Sequence, residues 1–518
     1  MNVVVDYLRD SPVMVYGLFA PLALIALYIL VPHFTTHASL RKYPGPPVAG
    51  FTRLWLAKMS RIGKRSEKVH DEHLKYGMSP RNCSLLLYSR DAADIFDHGT
   101  RKQASFASDV RGLFNTRDRT EHTRKRKIVS HTFAPKSVRE FEPYIASTVR
   151  MLLSKWDALA EQAKRDPTTK NGERLKGWAV VETLDWLNAL AFDIIGVRSP
   201  FGMLERDAAD IVTITKEDGT VIHAGGVRIL NERGEYSATL GCLPPWVRPY
   251  LQYVDPWFAR GLASVKNLTG IARTRVNERL ELGAGDRKDI LSHLQAGRDE
   301  SGQAMGKPEL TMEALTQLIA GSDTTSNSSW CVLIFSIFRR RPLLSFPLEF
   351  FTHDPLTRMT IAILYHIVSN PSAHKKLQGE LDEAFGAKGI TGVLDYEDVK
   401  ALPYLTGCIN EALRLHSTSG MGLQFWGADV SAFVPERWTE SEQKTRQLEK
   451  ALNIFSFGPR SCVGRNVAMM ELFTFISTLI LRYDFQLLDP NQKLEVVEGF
   501  LRKPTGCMMA FRLRESSV

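Results

Sequence analysis

The clearest chemistry in this sequence lies in a short loop around one cysteine. Cys462 occupies the decapeptide FSFGPRSCVG at positions 455–464, directly before an apolar segment with helical periodicity. A cysteine that binds a metal must be ionised, sheltered from water and surrounded by backbone N–H groups. Gly458 and Gly464 permit such a tight loop, the following helix N-terminus would lower the thiol pKa, and Arg460 could reach a carboxylate of a bound group. The alternative is that Cys462 is a small buried hydrophobic residue, as most isolated cysteines are.

A hydroxyl beside a carboxylate forms the second candidate. Asp323 and Thr324 lie in the stretch AGSDTT at positions 320–325, within an apolar helical pattern. Gly321 and Thr324 could open the helix locally, and the acid and hydroxyl together could relay protons. On its own, a threonine inside a helix more often just bonds to the preceding turn of backbone.

Two charge patterns are less specific by themselves. Glu411 and Arg414 are three residues apart and meet on one helix face, as many surface pairs do. The run EHTRKRK at positions 121–127 predicts a solvated basic face or a membrane-surface patch.

The decapeptide resembles, position for position, the haem-binding signature of the cytochrome P-450 family, and the likeness extends over roughly residues 40 to 514. The resemblance implies a mainly α fold with a minor β subdomain, and a haem b whose iron is bound axially by Cys462. It also implies that four further residues of this loop contact the haem: Phe455, Gly458, Arg460 and Gly464.

The same resemblance gives roles to the other patterns. Asp323 and Thr324 correspond to the acid–alcohol pair that delivers protons during dioxygen activation. His122 and Arg126 correspond to residues that bind a haem propionate. A structural role behind the haem is implied for Glu411, Arg414 and Arg437. Arg437 lies in the stretch PERW at 435–438.

Three segments are similar to the fungal benzoate para-hydroxylase group: GLFNTRDR at 112–119, HSTSGMGL at 416–423 and EGFLRKP at 498–504. This similarity implies an enzyme that inserts one oxygen atom of O₂ into an aromatic acid, with benzoate hydroxylated at the para position. An aromatic-acid site should contain an apolar slot with donors for the carboxylate, and Arg111 and Ser417 are candidates. An isomerase or peroxygenase is disfavoured because Asp323 and Thr324 suit dioxygen activation.

The resemblance also implies partners. Electrons would come from NADPH indirectly, through cytochrome reductase, with cytochrome b5 as a further donor. The basic residues Arg124–Lys127 would then face an acidic reductase.

Composition fits these expectations. The 518 residues carry a net charge of +9, which suits an anionic partner surface, but no nucleic-acid-binding motif is present, so we expect no nucleic acid. The six cysteines are far apart, which is typical of a reducing compartment and not of a disulfide framework.

The N-terminal region predicts a membrane anchor. Residues 12–31 contain no charged side chain and are long enough to cross a bilayer, whereas a cleaved signal peptide would be shorter. Basic Arg41 and Lys42 follow the anchor, so we expect the downstream chain to stay in the cytosol and residues 1–11 to be lumenal. A proline-rich linker, 32–47, then leads to a haem-thiolate catalytic domain, 48–518. The expected location is the endoplasmic reticulum membrane.

Helical periodicity dominates the catalytic domain. Two polar stretches, 161–176 and 283–307, predict surface loops. The predicted helices are 180–195, 312–326, 361–385, 405–415 and 467–481.

Two departures from the family pattern bear on activity. Residues 329–360 form an excess segment whose prolines forbid one continuous helix; we interpret it as a retained intron translated in frame, with a genuine inserted loop as the alternative. After Leu423 a segment that normally lines the substrate pocket is missing. The alternative function is therefore a non-catalytic or misfolded variant that retains the haem loop without a closed substrate pocket.

Overall fold

Helices make up most of the part of the chain that the computed structural model describes. Apart from scattered positions near the N-terminus and single-residue gaps, that part comprises residues 44–76, 110–166, 175–195, 202–281, 290–324, 358–386, 392–416, 432–498 and 502–515. The helices, numbered α1 to α17 in chain order, are Leu54–Arg61, Arg65–Tyr76, Arg119–Thr132, Pro135–Arg139, Glu142–Arg165, Thr183–Ile195, Gly226–Gly241, Leu251–Val254, Pro256–Glu281, Ile290–Ala296, Lys307–Thr324, Arg358–Val368, Pro371–Phe385, Tyr396–Val399, Pro403–Leu415, Glu442–Ala451 and Arg465–Arg482.

The strands form small antiparallel sheets. Strands β1 to β7 are Ala179–Glu182, Val212–Thr215, Val221–Ala224, Tyr483–Leu487, Val496–Glu498, Arg502–Pro504 and Met508–Leu513. Strand β7 lies between β1 and β4, while β2 pairs with β3 and β5 with β6. Trp156 of α5 stacks on Phe511 of β7, with ring centroids 4.7 Å apart, so the largest of these sheets packs on a long helix. The predicted class, mainly α with a minor β part, is confirmed.

The last helix, α17, anchors the cysteine loop in the core. It begins at Arg465, three residues after Cys462, and contacts α12, α13 and α15. Its residues Phe475, Ile476 and Leu479 are almost completely buried. All residues from Met470 to Ile480 are buried, and this burial fixes the C-terminal side of the loop.

Several predicted boundaries were wrong. Residues 180–182 belong to strand β1, because their alternating side chains pair with β7, more than 300 residues later in the chain. The predicted helix 361–385 is two helices, separated at Asn370, since Pro371 can begin a helix but cannot continue one. The predicted loop 161–176 is helical up to Arg165, and the loop 283–307 contains helix α10.

Three other predictions concern residues that lie wholly or mostly outside the described part. They are the membrane anchor 12–31, the excess segment 329–360 and the region after Leu423. Among the described residues, none of the helices combines the length and apolarity that a membrane span requires.

Candidate functional site

The cysteine loop is a tight turn that leads into α17. Ser461 N–H donates to Gly458 O at 3.0 Å, and Cys462 N–H donates to Phe455 O at 2.8 Å. Gly458 has a φ of 72°, a conformation that favours glycine, as the sequence predicted. Gly464 has a φ of −83°, which any residue can adopt, so its backbone does not require glycine. Apart from atoms of the adjoining chain, no described atom lies within 4 Å of a Cβ added at either glycine, so a large flat group could approach this backbone closely.

The thiol of Cys462 is exposed, whereas the other described cysteines are buried. Surrounding protein still removes part of its hydration, and this raises the pKa of the thiol; the N–H of Gly464 and the charges of Arg126 and Arg465 act in the opposite direction. The N-terminus of α17 therefore acts on the thiol pKa in the predicted direction, and burial outweighs its contribution. A bound metal ion would deprotonate a thiol held in this way, and the site fits a metal ligand for that reason.

Two arginines and a histidine lie beside this loop. Arg126 Nη1 of α3 donates to Ser461 O at 2.7 Å, and Arg460 Nη2 donates to Thr116 O at 2.7 Å. Partial burial lowers the pKa of both guanidinium groups, and burial together with Arg460 and Arg126 lowers the pKa of His122. We call Arg126 and Arg460 the arginine pair.

The arginine pair has no carboxylate partner among the described residues. Partly desolvated cations of this kind are stabilised by an anion, and bidentate arginine–carboxylate contacts are especially favourable. A haem carries two propionates and an iron that thiolates bind, so the donors around Cys462 fit this group.

The predicted acid–alcohol pair is only partly described. Helix α11 ends at Thr324, and Asp323 lies in its last turn, but their side chains are outside the described part. The helix continues as a regular α-helix through Gly321, so the local opening predicted there is not present in the described backbone. Their role in proton delivery stays a prediction. Arg111 is half-buried in the segment before α3, and Ser417 lies outside the described residues.

Glu411 on α15 is the centre of a buried ion-pair cluster. It is fully buried and accepts from Arg414 Nε at 2.9 Å, Arg437 Nε at 2.8 Å, Trp438 Nε1 at 2.9 Å and Val434 N–H at 2.9 Å. Burial would raise the pKa of Glu411, but the donors outweigh it and the pKa is lowered. The cluster joins α15 to the turn Pro435–Trp438. This turn lies about 20 residues before the cysteine loop in sequence.

The basic run of α3 does not present the predicted docking surface. Arg124 pairs with Glu121 at 2.8 Å and with Glu309; Lys125, only 3% exposed, also pairs with Glu309. Lys127 is exposed but pairs with Glu300. These three positive charges are therefore neutralised by acids, two of which come from the region before and at the start of α11.

Exposed cations without a carboxylate partner among the described residues lie on α4 and α17, two helices that contact each other. Arg465 is exposed and its guanidinium lies 5.6 Å from the ring centroid of Phe455. Lys136 is exposed at the start of α4, and Asn466 Nδ2 joins this region to α17 by donating to Phe133 O at 2.9 Å. Sequence reasoning missed this surface because single exposed cations carry no pattern.

Two buried carboxyl groups were also missed. Glu313 on α11 and Glu471 on α17 are 0% and 6% exposed. Burial raises the pKa of Glu471 to about 8. The only sequence signal for either residue is an acid placed between apolar neighbours in a helical pattern.

Comparison with known proteins places this site in a family. The family model described as Cytochrome P450 matches residues 84–337, 357–425 and 423–511. The chain is 38% identical to benzoate 4-monooxygenase bphA of Aspergillus niger over 552 aligned positions, which cover 96% of this chain and 98% of that protein. It is 23% identical to the cytochrome P450 monooxygenase cicH of Emericella nidulans, again over 96% of this chain and 98% of that protein.

Solved structures agree in fold. The crystal structures of the cytochrome P450DA heme domain and of a cytochrome P450 named CYP102L1 are each 17% identical to the chain, with a TM-score of 0.56. Each alignment covers 78% of this chain, and they cover 80% and 84% of the respective structures.

Proposed function

This chain belongs to the cytochrome P450 family, and we propose that it is a haem-thiolate monooxygenase that hydroxylates benzoate, or a close analogue, at the ring carbon opposite the carboxylate. The observation that carries the haem-thiolate part is the exposed Cys462 thiol beside the arginine pair. The substrate class rests on the 38% identity to a benzoate 4-monooxygenase along nearly the whole chain.

Each part of the site contributes a distinct action. Haem, when bound, would supply the iron at which dioxygen is activated; dioxygen is the oxidant and NADPH supplies the two electrons that reduce its second oxygen atom to water. Cys462 would hold the haem as a thiolate, and the arginine pair and His122 would hold its carboxylates. Asp323 and Thr324 hold and pass protons at the end of α11.

We also propose where electrons arrive. An acidic donor protein, the NADPH-dependent cytochrome reductase or cytochrome b5, docks at Lys136 and Arg465. These exposed cations have no described acidic partner and lie on the contacting helices α4 and α17, the second of which begins three residues after Cys462. Residues 12–31 anchor the chain in the endoplasmic reticulum membrane, with the catalytic domain in the cytosol, where such donors reside.

A second function is favoured by a specific observation. The family match leaves residues 338–356 unmatched and is divided again at 423–425. The alignment with the Aspergillus niger protein is 552 positions long, more than the 518 residues of this chain, so that relative has residues without a counterpart here. This favours a variant form that keeps the haem loop but cannot close a substrate pocket.

Benzoate binding and turnover distinguish the two functions. With the full chain in membranes and reductase plus NADPH supplied, we expect benzoate to shift the resting haem spectrum towards the high-spin form and 4-hydroxybenzoate to accumulate. Thr324→Ala should keep the spectral shift but consume NADPH without forming product, because protons are no longer delivered correctly. A normal haem spectrum without either benzoate response would support the non-catalytic form.

A further inference from the structure

A buried carboxyl group on α11 holds a neighbouring backbone segment. Glu313 is 0% exposed; its Oε2 accepts from Leu113 N–H at 2.8 Å and its Oε1 accepts from Gln317 Nε2 at 2.8 Å. Burial raises the pKa of Glu313, although both hydrogen bonds and the charge of Lys125 oppose the rise. Both oxygens of this carboxyl group therefore act as hydrogen-bond acceptors, one for Leu113 and one for Gln317.

The segment that it holds, Val110–Thr116, lies directly on α11. A Cβ added to Gly112 would collide with Thr316 Oγ1 and would lie 3.1 Å from Met312 O. Within the segment, Thr116 Oγ1 donates to Gly112 O at 2.7 Å and closes a turn. Close backbone approach of this kind is the usual reason for a buried glycine.

The other end of the same segment is tied to the cysteine loop. Arg460 lies two residues before Cys462, and its Nη2 donates to Thr116 O at 2.7 Å. Leu113, between the two attachments, packs in one hydrophobic cluster with Leu310 and Ala314 of α11, and Val463 beside the cysteine packs against this cluster. The segment thus bridges the helix that carries Thr324 and the loop that carries the thiol.

We infer that Glu313 is a positioning residue: by holding Leu113 it fixes the segment Val110–Thr116, and with it the shape of the substrate space between α11 and the Cys462 loop. The inference rests on the proposed function, because that space exists only in a protein that binds haem at Cys462. Glu313 does not touch the substrate in this account, and it acts through the segment.

Two substitutions at Glu313 distinguish the effect of its hydrogen-bond acceptor oxygens from the effect of its charge. In Glu313→Leu the N–H of Leu113 and the amide of Gln317 lose their partner. We expect about 10-fold weaker benzoate binding by the spectral shift, measured per haem, with the Soret band of the reduced carbon monoxide complex unchanged. Glu313→Gln keeps an acceptor oxygen and should stay within about 2-fold of the unaltered protein. Thr311→Ala, one half-turn away and bonded only to Lys307 O, is the control.

A second variant tests the same claim if Glu313→Leu does not yield haem-loaded protein. Gly112→Ala displaces the segment but keeps the Glu313 carboxyl group, which the added Cβ would meet at an ordinary contact distance of 3.4 Å. Adding Thr316→Ala removes the colliding hydroxyl. We expect the single change to weaken benzoate binding and the double change to restore most of it.

Two outcomes would overturn the inference. In the first, Glu313→Leu and Gly112→Ala both bind benzoate as tightly as the unaltered protein. In the second, Glu313→Gln weakens benzoate binding as much as Glu313→Leu does. If the unaltered protein itself gives no thiolate-type carbon monoxide spectrum or no benzoate shift, the proposed function fails instead.

Discussion

The arginine pair shows what individual residues contribute to the site. Arg126 and Arg460 each donate to a backbone carbonyl near the thiol and have no carboxylate partner among the described residues. Arg126 is half-buried and Arg460 is exposed. Both cations are therefore available to bind the carboxylates of a haem.

We therefore predict that Arg460→Leu lowers haem retention. After gel filtration, the haem-to-protein ratio should fall several-fold, because one cation for the propionates is lost. Lys127→Gln removes a cation of the neighbouring helix α3 that is already neutralised by Glu300, and it should leave this ratio unchanged. Equal retention in Arg460→Leu and the unaltered protein would remove Arg460 from the haem site.

A second residue-scale prediction concerns Glu471. Burial raises its pKa from the ordinary 4.5 to about 8. Between these values the folded protein holds a proton that the unfolded chain has lost, so the free energy of unfolding decreases as pH rises through this window. Glu471→Gln removes the dependence and should stabilise the protein by roughly 4 kcal/mol at pH 8 but little at pH 4.5.

Thermal unfolding at several pH values checks this expectation. The Tm difference between Glu471→Gln and the unaltered protein should grow from pH 5 to pH 8. Glu442→Gln, an exposed acid that pairs with Arg446, should give a small and constant difference. A difference for Glu471→Gln that does not change with pH would contradict the raised pKa.

At the scale of elements, the Glu411 cluster joins α15 to the turn that precedes the cysteine loop. Glu411→Ala would leave two guanidinium groups, an indole N–H and a backbone N–H without their acceptor, so we predict a loss of roughly 3–5 kcal/mol in stability. Because the pKa of Glu411 is lowered, its contribution is present at neutral pH and is lost as pH falls below about 4.5.

The matched control is Glu397, an exposed acid three residues before Lys400. This pair has the same sequence spacing as Glu411 and Arg414, but it is exposed, so Glu397→Ala should cost no more than about 1 kcal/mol. Urea unfolding of both variants provides the comparison. Equal losses would show that the cluster contributes no more than a surface pair.

The ion pairs and strand pairs of this protein illustrate how far sequence can predict elements and sites. The spacing of Glu411 and Arg414 predicted their contact, because residues three apart on a helix are neighbours. The ion pairs of Arg124 with Glu309 and of Lys127 with Glu300 could not be predicted, since the partners are more than 170 residues apart in sequence. Strand β1 was missed for the same reason: its partner β7 lies at the other end of the chain.

The cysteine loop was predictable because its chemistry is local. Gly458, Arg460 and Cys462 lie within five residues, and the hydrogen bonds that shape the turn stay inside the loop. The contact of Arg460 with Thr116, by contrast, spans 344 positions and became visible only in three dimensions.

At the scale of the whole molecule, the net charge of +9 matters through its distribution. We predict that Lys136→Glu raises the reductase concentration needed for half-maximal turnover by about 10-fold at low salt, with a smaller effect at high salt, because it reverses a docking charge. Lys127→Glu changes a cation that is already paired with Glu300, and it should have a much smaller effect.

Steady-state turnover with varied reductase at two ionic strengths measures this difference. The carbon monoxide spectrum of both variants should match that of the unaltered protein, which excludes damage to the haem site. Equal reductase dependence for Lys136→Glu and Lys127→Glu would place the docking surface elsewhere.

The bond between the Cys462 sulfur and a haem iron is tested most directly by one spectrum. In the full chain, reduced and saturated with carbon monoxide, we predict the strongly red-shifted Soret band of thiolate-ligated haem, and we predict that Cys462→Ser abolishes it. An unaltered protein whose Soret band is that of neutral ligation, or a Cys462→Ser variant that keeps the red-shifted band, would contradict the assignment.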